Sequence, residues 1–224
     1  MTKGRAIIGS YVGVLVFAVP IFLAAGRVNF APGWLYVALS LAGVTLSHLL
    51  SRSDSDLTVD RAARAKDGEA WDRKLLGVMA LSNVITFVVA GLDAGRYHWS
   101  PPASTALVIA GAVTIGLGQL LFALSKREND FFSSTVRLQP ERGHRVCDTG
   151  PYRVVRHPGY LGMLLAVLGF PLLFGSYWAF IPTAFTVVVL AARTSKEDQF
   201  LVERLAGYRD YAARCRWRLV PFVW

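Results

Sequence analysis

The chain reads as an all-α, polytopic membrane protein of about six transmembrane segments, the last two a helical hairpin, with cytoplasmic interfacial helices beside them. Three observations predict this. Of 224 residues, 54% are hydrophobic and only 17% charged, a balance that excludes an ordinary soluble domain. The apolar residues fall in long runs near the length that crosses a bilayer. The cations, finally, sort almost wholly to one side of those runs.

The runs are 7–25, 34–50, 75–92, 103–124 and 159–192. At about 20 residues per crossing, each of the first four makes one helix. The fifth is too long for one crossing and short for two, since each half covers only about 24 Å at the helical rise. A hairpin turning at Gly175-Ser176, with Arg156 and Arg193 snorkelling at its ends, makes up the length. A re-entrant segment would also return both ends to one side.

With six segments, Lys3 and Arg5, the polar stretches 51–74 and 125–159, and the tail from Arg193 all share a side. Of the 24 Lys and Arg only Arg27 and Arg96 fall on the other. The positive-inside rule places both termini and the polar stretches in the cytoplasm. The net charge of +9 follows from that topology beside an anionic leaflet, and nucleic acid is a poor explanation for it. The first run is too long for a cleaved signal core and reads as a retained helix. Cys147 and Cys215, both on the cytoplasmic side, are expected reduced and unpaired, and no metal-ligand spacing is evident.

In order, the first helix carries Pro20 as an expected kink, and His48 near the end of the second reads as a histidine bonded to nearby backbone. Stretch 51–74 offers helix starts at Ser53 and Asp54 and the helically spaced pairs Asp60–Arg64 and Glu69–Arg73, suggesting an interfacial connector. Gly111, Gly116 and Gly118 in the fourth helix offer close helix contacts. Gly116-Leu117-Gly118 has no preceding strand, so a dinucleotide fingerprint is excluded. Residues 126–139, with Phe131-Phe132 embedded, lie at the interface.

Residues 144–160 stand apart. They hold two His, three Arg, two Tyr and two Pro just before the hairpin. Thr149-Gly150-Pro151-Tyr152 reads as a tight turn, and Pro158 suits the first turn of a helix whose N-terminus favours carboxylate or phosphate. On residue types alone, an interfacial belt of Arg, His and Tyr explains the segment more simply than a site does. The tail shifts that balance. Arg193 and Glu197, four apart on one helical face, fall where the hairpin returns, opposite Arg156 and His157 at its other foot. Phe200, Leu201, Leu205, Tyr208 and Tyr211 follow at amphipathic spacing. Trp217, Phe222 and Trp224 read as headgroup-level anchors.

Gly150-Pro151-Tyr152, the run Arg156-His157-Pro158-Gly159-Tyr160-Leu161-Gly162, and then Arg193, Glu197-Asp198, Leu201, Tyr208, Tyr211 and Pro221 resemble the isoprenylcysteine carboxyl methyltransferase family. Related phospholipid methyltransferases share the pattern. The resemblance covers roughly the last 100 residues and divides the chain into a transmembrane region, 1–125, and a catalytic region, 126–224. It implies an integral membrane methyltransferase using S-adenosylmethionine and releasing S-adenosylhomocysteine. It further implies that His144, Arg145, Val146, Cys147 and Tyr152 line the cofactor pocket, completed by His157, Pro158, Gly159 and Tyr160. Glu197 would contact the cofactor, while Arg193, with Arg156, would hold the acceptor. Two departures stand out: Asp198 replaces the usual second Glu, and the spacing from Glu197 to Tyr208 is one residue short near Ala206-Gly207.

The expected acceptor is lipophilic, entering laterally from the bilayer, with carboxyl O-methylation the leading chemistry. Methylation of a phospholipid amine, an NADPH-dependent membrane reductase with a related C-terminal region, and a non-enzymatic membrane protein are the alternatives. Against a transporter, no span carries a charge at its centre. Short loops and compact size point to a prokaryotic plasma membrane.

Overall fold

The computed structural model describes residues 3–51 and 67–224. Helix α1 spans Lys3–Ala25, α2 Ala31–Leu50, α3 Ala70–Ala90 and α4 Thr105–Glu128; α5 spans Pro158–Phe174, α6 Phe180–Arg204 and α7 Tyr208–Arg214. A π-helical segment, Gly91–Tyr97, prolongs α3. Among the described residues there is no strand. The first four helices are long and apolar enough to cross a bilayer, so the protein is an all-helical polytopic membrane protein. Helix α5, at 17 residues, reaches only about 25 Å.

Small residues set the tightest packing. A Cβ on Gly118 would collide with the Gly162 carbonyl, and one on Gly111 with the Leu173 backbone, so α4 and α5 meet backbone to backbone. Gly116 faces open space instead, because it lies on the opposite side of α4, and the close contact expected of it does not form. Tyr36, Phe87, Phe170 and Phe174 interlock in the core, with ring centroids 4.8 to 6.3 Å apart.

The hairpin turns where the sequence places it. Gly175 adopts a left-handed conformation (φ 66°), its N–H donates to Leu172 at 3.2 Å, and Ser176 N–H reaches back to Pro171 at 3.0 Å. Asp93, buried in the π segment, clasps this turn. It accepts from Ser176 Oγ and Ser100 Oγ, each at 2.6 Å, and from Ser100 N–H at 2.7 Å. Contacts of Ser82 with Pro182 and of Asp72 with Arg193 set α3 and α6 antiparallel. The N-terminal ends of α3 and α5 and the C-terminal end of α6 therefore gather at one end of the bundle.

Other expectations resolve differently. Ser53, Asp54, Asp60 and Arg64 lie outside the described residues, whereas Glu69 meets Arg204 at 3.5 Å. Helix α3 begins at Ala70, so the residues before Leu75 are its first turn, held by the bond from Asp72 N–H to Glu69. The amphipathic tail is divided: α6 runs straight through Arg193 to Arg204, and Gly207 (φ 79°) breaks the chain before α7. Trp224 is tied inward, its carbonyl accepting from Leu219 and Val220 and its ring lying 5.5 Å from the Arg218 guanidinium. His48 packs its ring 6.0 Å from that of Tyr11.

Candidate active site

The site is built where the two feet of the hairpin meet. Pro158 opens α5 and His157 sits just before it, its carbonyl accepting from Tyr160 and Leu161. The C-terminal tail straps this foot in place. Arg156 N–H donates to the Trp217 carbonyl at 2.9 Å, and His157 N–H to Arg218 at 3.0 Å. No periodicity signals that pairing, because it joins two irregular segments.

Asp198 is the electrostatic centre. Only 2% exposed, it faces Arg156 Nη1 at 3.1 Å, Arg218 Nε at 3.0 Å, His157 Nε2 at 3.2 Å and the Tyr208 hydroxyl at 3.0 Å. Burial alone would raise its pKa. The His157 bond and charge, the Arg156 charge and the Tyr208 bond outweigh that and hold it below the usual carboxylate range. Burial, reinforced by the nearby charges of Asp198 and Glu197, pushes the Tyr208 phenol far up, so it remains a neutral donor.

Glu197, one residue earlier, faces a different way. It accepts from the Tyr160 hydroxyl and lines an open cleft with a cavity volume of about 90 Å³. The Tyr160 ring stacks parallel to His157, centroids 5.6 Å apart, and its other neighbour is the Arg193 guanidinium at 4.7 Å. Arg193 is 2% exposed and committed. Its Nε meets Asp72 Oδ1 at 2.7 Å, and its Nη2 meets Asp72 Oδ2 at 3.3 Å and the Ser134 carbonyl at 3.1 Å. Asp72 Oδ2 also accepts the Val136 N–H at 2.8 Å, which ties the cleft wall to α3.

Of the residues singled out from sequence, His144, Arg145, Val146, Cys147, Tyr152, Arg156, His157, Gly159, Tyr160 and Glu197 line the cleft. Pro158 and Arg193 stand behind the lining: Pro158 because it forms the first turn of α5, Arg193 because Asp72 and the Tyr160 ring enclose it. His144 stacks on Phe131, centroids 4.6 Å apart, and its Nδ1 accepts the Gln139 N–H at 3.3 Å. Burial, then the charges of Arg137 and Arg142, lower its pKa to about 4, so it is a neutral imidazole. Burial likewise pushes the Cys147 thiol up, which keeps it inert; both Cys147 and Cys215 are free. Gly159 makes room for Phe132, whose ring a Cβ there would strike.

Sequence reasoning missed Asp72, Phe131, Arg218 and the central part played by Asp198. Asp72 carried one usable signal: an acid at the edge of an apolar run, on the same predicted side as Arg193. Arg218 carried none beyond its charge.

These features define a helical membrane protein with a polar cleft at one end of its bundle, bounded by a hairpin and a C-terminal strap. Residues 109–203, which run from within α4 to the last turn of α6, match the sequence model of the isoprenylcysteine carboxyl methyltransferase (ICMT) family. That family is one of carboxyl methyltransferases. Among curated proteins, none matches the chain.

Proposed function

We propose that the protein transfers a methyl group from S-adenosylmethionine to a lipophilic acceptor at the membrane surface. The observation that carries this is the cleft between the hairpin's feet, with Glu197 on its wall and the Asp198 cluster behind it. The donor set suits a cationic sulfonium with amino-acid and nucleoside ends. Glu197 offers an anion, Phe131 and His144 form a flat ring wall, and Arg156 keeps an Nε with no hydrogen bond although its side chain is only 9% exposed. When bound, the cofactor supplies a methyl group already activated by positive sulfur.

The chain's own residues then hold and dry the reactants. Glu197 is oriented by Tyr160, whose ring is clamped between His157 and Arg193. The strap at Trp217 and Arg218 fixes the Arg156–His157 foot, and the cluster around Asp198 fixes both feet together. For a carboxylate acceptor, as the family description suggests, no base would be needed, because the acceptor oxygen is already anionic. Arg156 is the cation best placed to orient that carboxylate. Methylation of a lipid amine is the second reading, favoured by one observation: Asp72 already fills the carboxylate-binding fork of Arg193. A proton must then leave nitrogen, and Glu197 is the base at hand. Both readings put the cleft on the cytoplasmic side, which the distribution of Lys and Arg supports.

Calorimetry with S-adenosylhomocysteine and with NADPH separates methyl transfer from reduction; binding of NADPH alone would overturn the proposal. Incubation with a labelled methyl donor and either an S-prenylated cysteine analogue or phosphatidylethanolamine then decides the acceptor. A base-labile methyl ester marks the first, a base-stable N-methyl lipid the second.

A further inference from the structure

At the end of the bundle opposite the cleft, α1 and α2 part to leave an apolar groove of about 620 Å³. Leu15, Val19 and Leu23 of α1 and Trp34 and Val37 of α2 line it, and Arg27 stands at its mouth. Leu15, Val19, Leu23 and Trp34 are each at least half exposed. From Leu15 to Gly26 the helix rises about 17 Å. That is close to one leaflet's share of the hydrocarbon core, about 15 Å. The groove therefore has the length of one acyl chain.

Its mouth is charged in a way nothing else at this end is. Arg27 and Arg96 are the two cations that the sequence pattern leaves on this side, and the fold brings them to one corner. Gly26 takes a left-handed turn (φ 66°) that leaves room for the Arg96 guanidinium, which any Cβ there would strike. Arg96 Nη2 donates to the Leu23 carbonyl at 3.2 Å. Arg27, the next residue, is exposed over the Phe30 ring at 5.8 Å. No acid lines the groove, and Asp93, in the same π segment as Arg96, spends both oxygens on Ser100 and Ser176. Trp34, its indole N–H bonded to the Val28 carbonyl at 2.8 Å, marks headgroup depth.

We propose that this groove is a binding site for an anionic phospholipid of the leaflet opposite the cleft, one acyl chain lying between α1 and α2 and the headgroup phosphate held by Arg27 and Arg96. The site is separate from the methyl-transfer cleft and does not depend on that activity. Bulk lipid would fill an apolar groove without regard to headgroup; paired arginines with no lining acid select negative charge.

The test uses the full chain in phosphatidylcholine vesicles doped with phosphatidylglycerol or phosphatidylcholine carrying a photoreactive group in one acyl chain. Crosslinks are mapped by peptide mass spectrometry. Phosphatidylglycerol should label the groove residues of α1 and α2 more than phosphatidylcholine does, by about fivefold per arginine and so roughly 25-fold for the pair. Arg27→Gln with Arg96→Gln should bring that ratio near one while labelling of the exposed face of α3 at Leu81 and Ile85 stays constant. Val19→Trp, which fills the groove from a lipid-facing position, should remove labelling by both probes. Equal labelling of the wild-type groove by the two lipids would overturn the proposal, as would a preference that survives loss of both arginines. Should the double substitution fail to fold, Arg27→Gln alone, at an exposed residue outside the helices, should still cut the preference about fivefold.

Discussion

Replacing Asp72 by Ala tests whether the buried pair with Arg193 is a structural tie. Both side chains are nearly inaccessible, at 0% and 2% exposed, and the contact is two-pronged. Removing one partner leaves the other charge buried without compensation, at a cost of about 3–5 kcal/mol. The Val136 N–H loses its acceptor as well. At about 2–4 °C per kcal/mol for a chain of this size, the midpoint should fall by about 6 to 20 °C. The assay is thermal unfolding in detergent followed by circular dichroism, with a double-mutant cycle of Asp72→Leu, Arg193→Met and the two together run beside Asp72→Ala. The double variant should recover much of the loss, because a well-packed apolar pair can replace a buried ion pair. A midpoint unchanged in Asp72→Ala, or single effects that simply add to within about 0.5 kcal/mol, would refute the reasoning. The same variants separate roles for Arg193: a residue acting mainly on substrate would lose turnover with little change in melting.

Glu197→Ala should weaken S-adenosylhomocysteine binding by about tenfold or more, the worth of one charge-assisted bond, and calorimetry showing equal affinity would defeat the assignment. His144 contributes a stability that depends on pH with a definite sign. Its folded pKa, about 4, lies below the unfolded value near 6.5, so the contribution is complete above about pH 6.5 and is lost as pH falls toward 4. Unfolding midpoints recorded across that window should drop in the wild type and flatten in His144→Phe. Gly118→Ala drives a methyl into the Gly162 carbonyl and Ala166 backbone and should cost about 1–3 kcal/mol, while Gly116→Ala, facing open space, should be neutral or slightly stabilising in the same melt.

The apolar runs made the first four helices legible because bilayer thickness dictates their length, and Gly175 marked the hairpin because few other residues accept its backbone conformation. The lining of the cleft was legible for a different reason: 144–160 is a contiguous polar stretch, and its neighbours in sequence remain neighbours in space. What the sequence did not disclose are pairings across the fold. Asp72 reaches Arg193 from 121 residues away, and the Trp217–Arg218 strap bonds through backbone groups that every residue carries. Arg193 shows the limit best. Its spacing from Glu197 put the two on one helical face, yet a four-residue interval does not say which side chain meets the cleft and which is taken by a distant acid.

The two departures from the family pattern become one feature once Asp198 is seen at its centre. An Asp is one methylene shorter than the Glu that the resemblance leads one to expect, and by the same resemblance the link to Tyr208 is expected one residue longer. The shortfall falls in the break at Leu205–Gly207, where Gly207 turns the chain so that α7 starts at Tyr208 and delivers its hydroxyl to Asp198 at 3.0 Å. A shorter acid thus meets a donor drawn in by a shorter connector, while Arg156 and Arg218 arrive from elements whose backbones are bonded to each other and have little freedom to retreat. Asp198→Glu alone should overpack this cluster and cost about 1–3 kcal/mol. Adding one residue between Leu205 and Tyr208 should recover part of that loss, although the same insertion in the wild type should destabilise by pulling Tyr208 away. Melting curves of the four proteins form a cycle whose coupling has a predicted sign, and an insertion that makes Asp198→Glu worse would show that the two departures are unrelated.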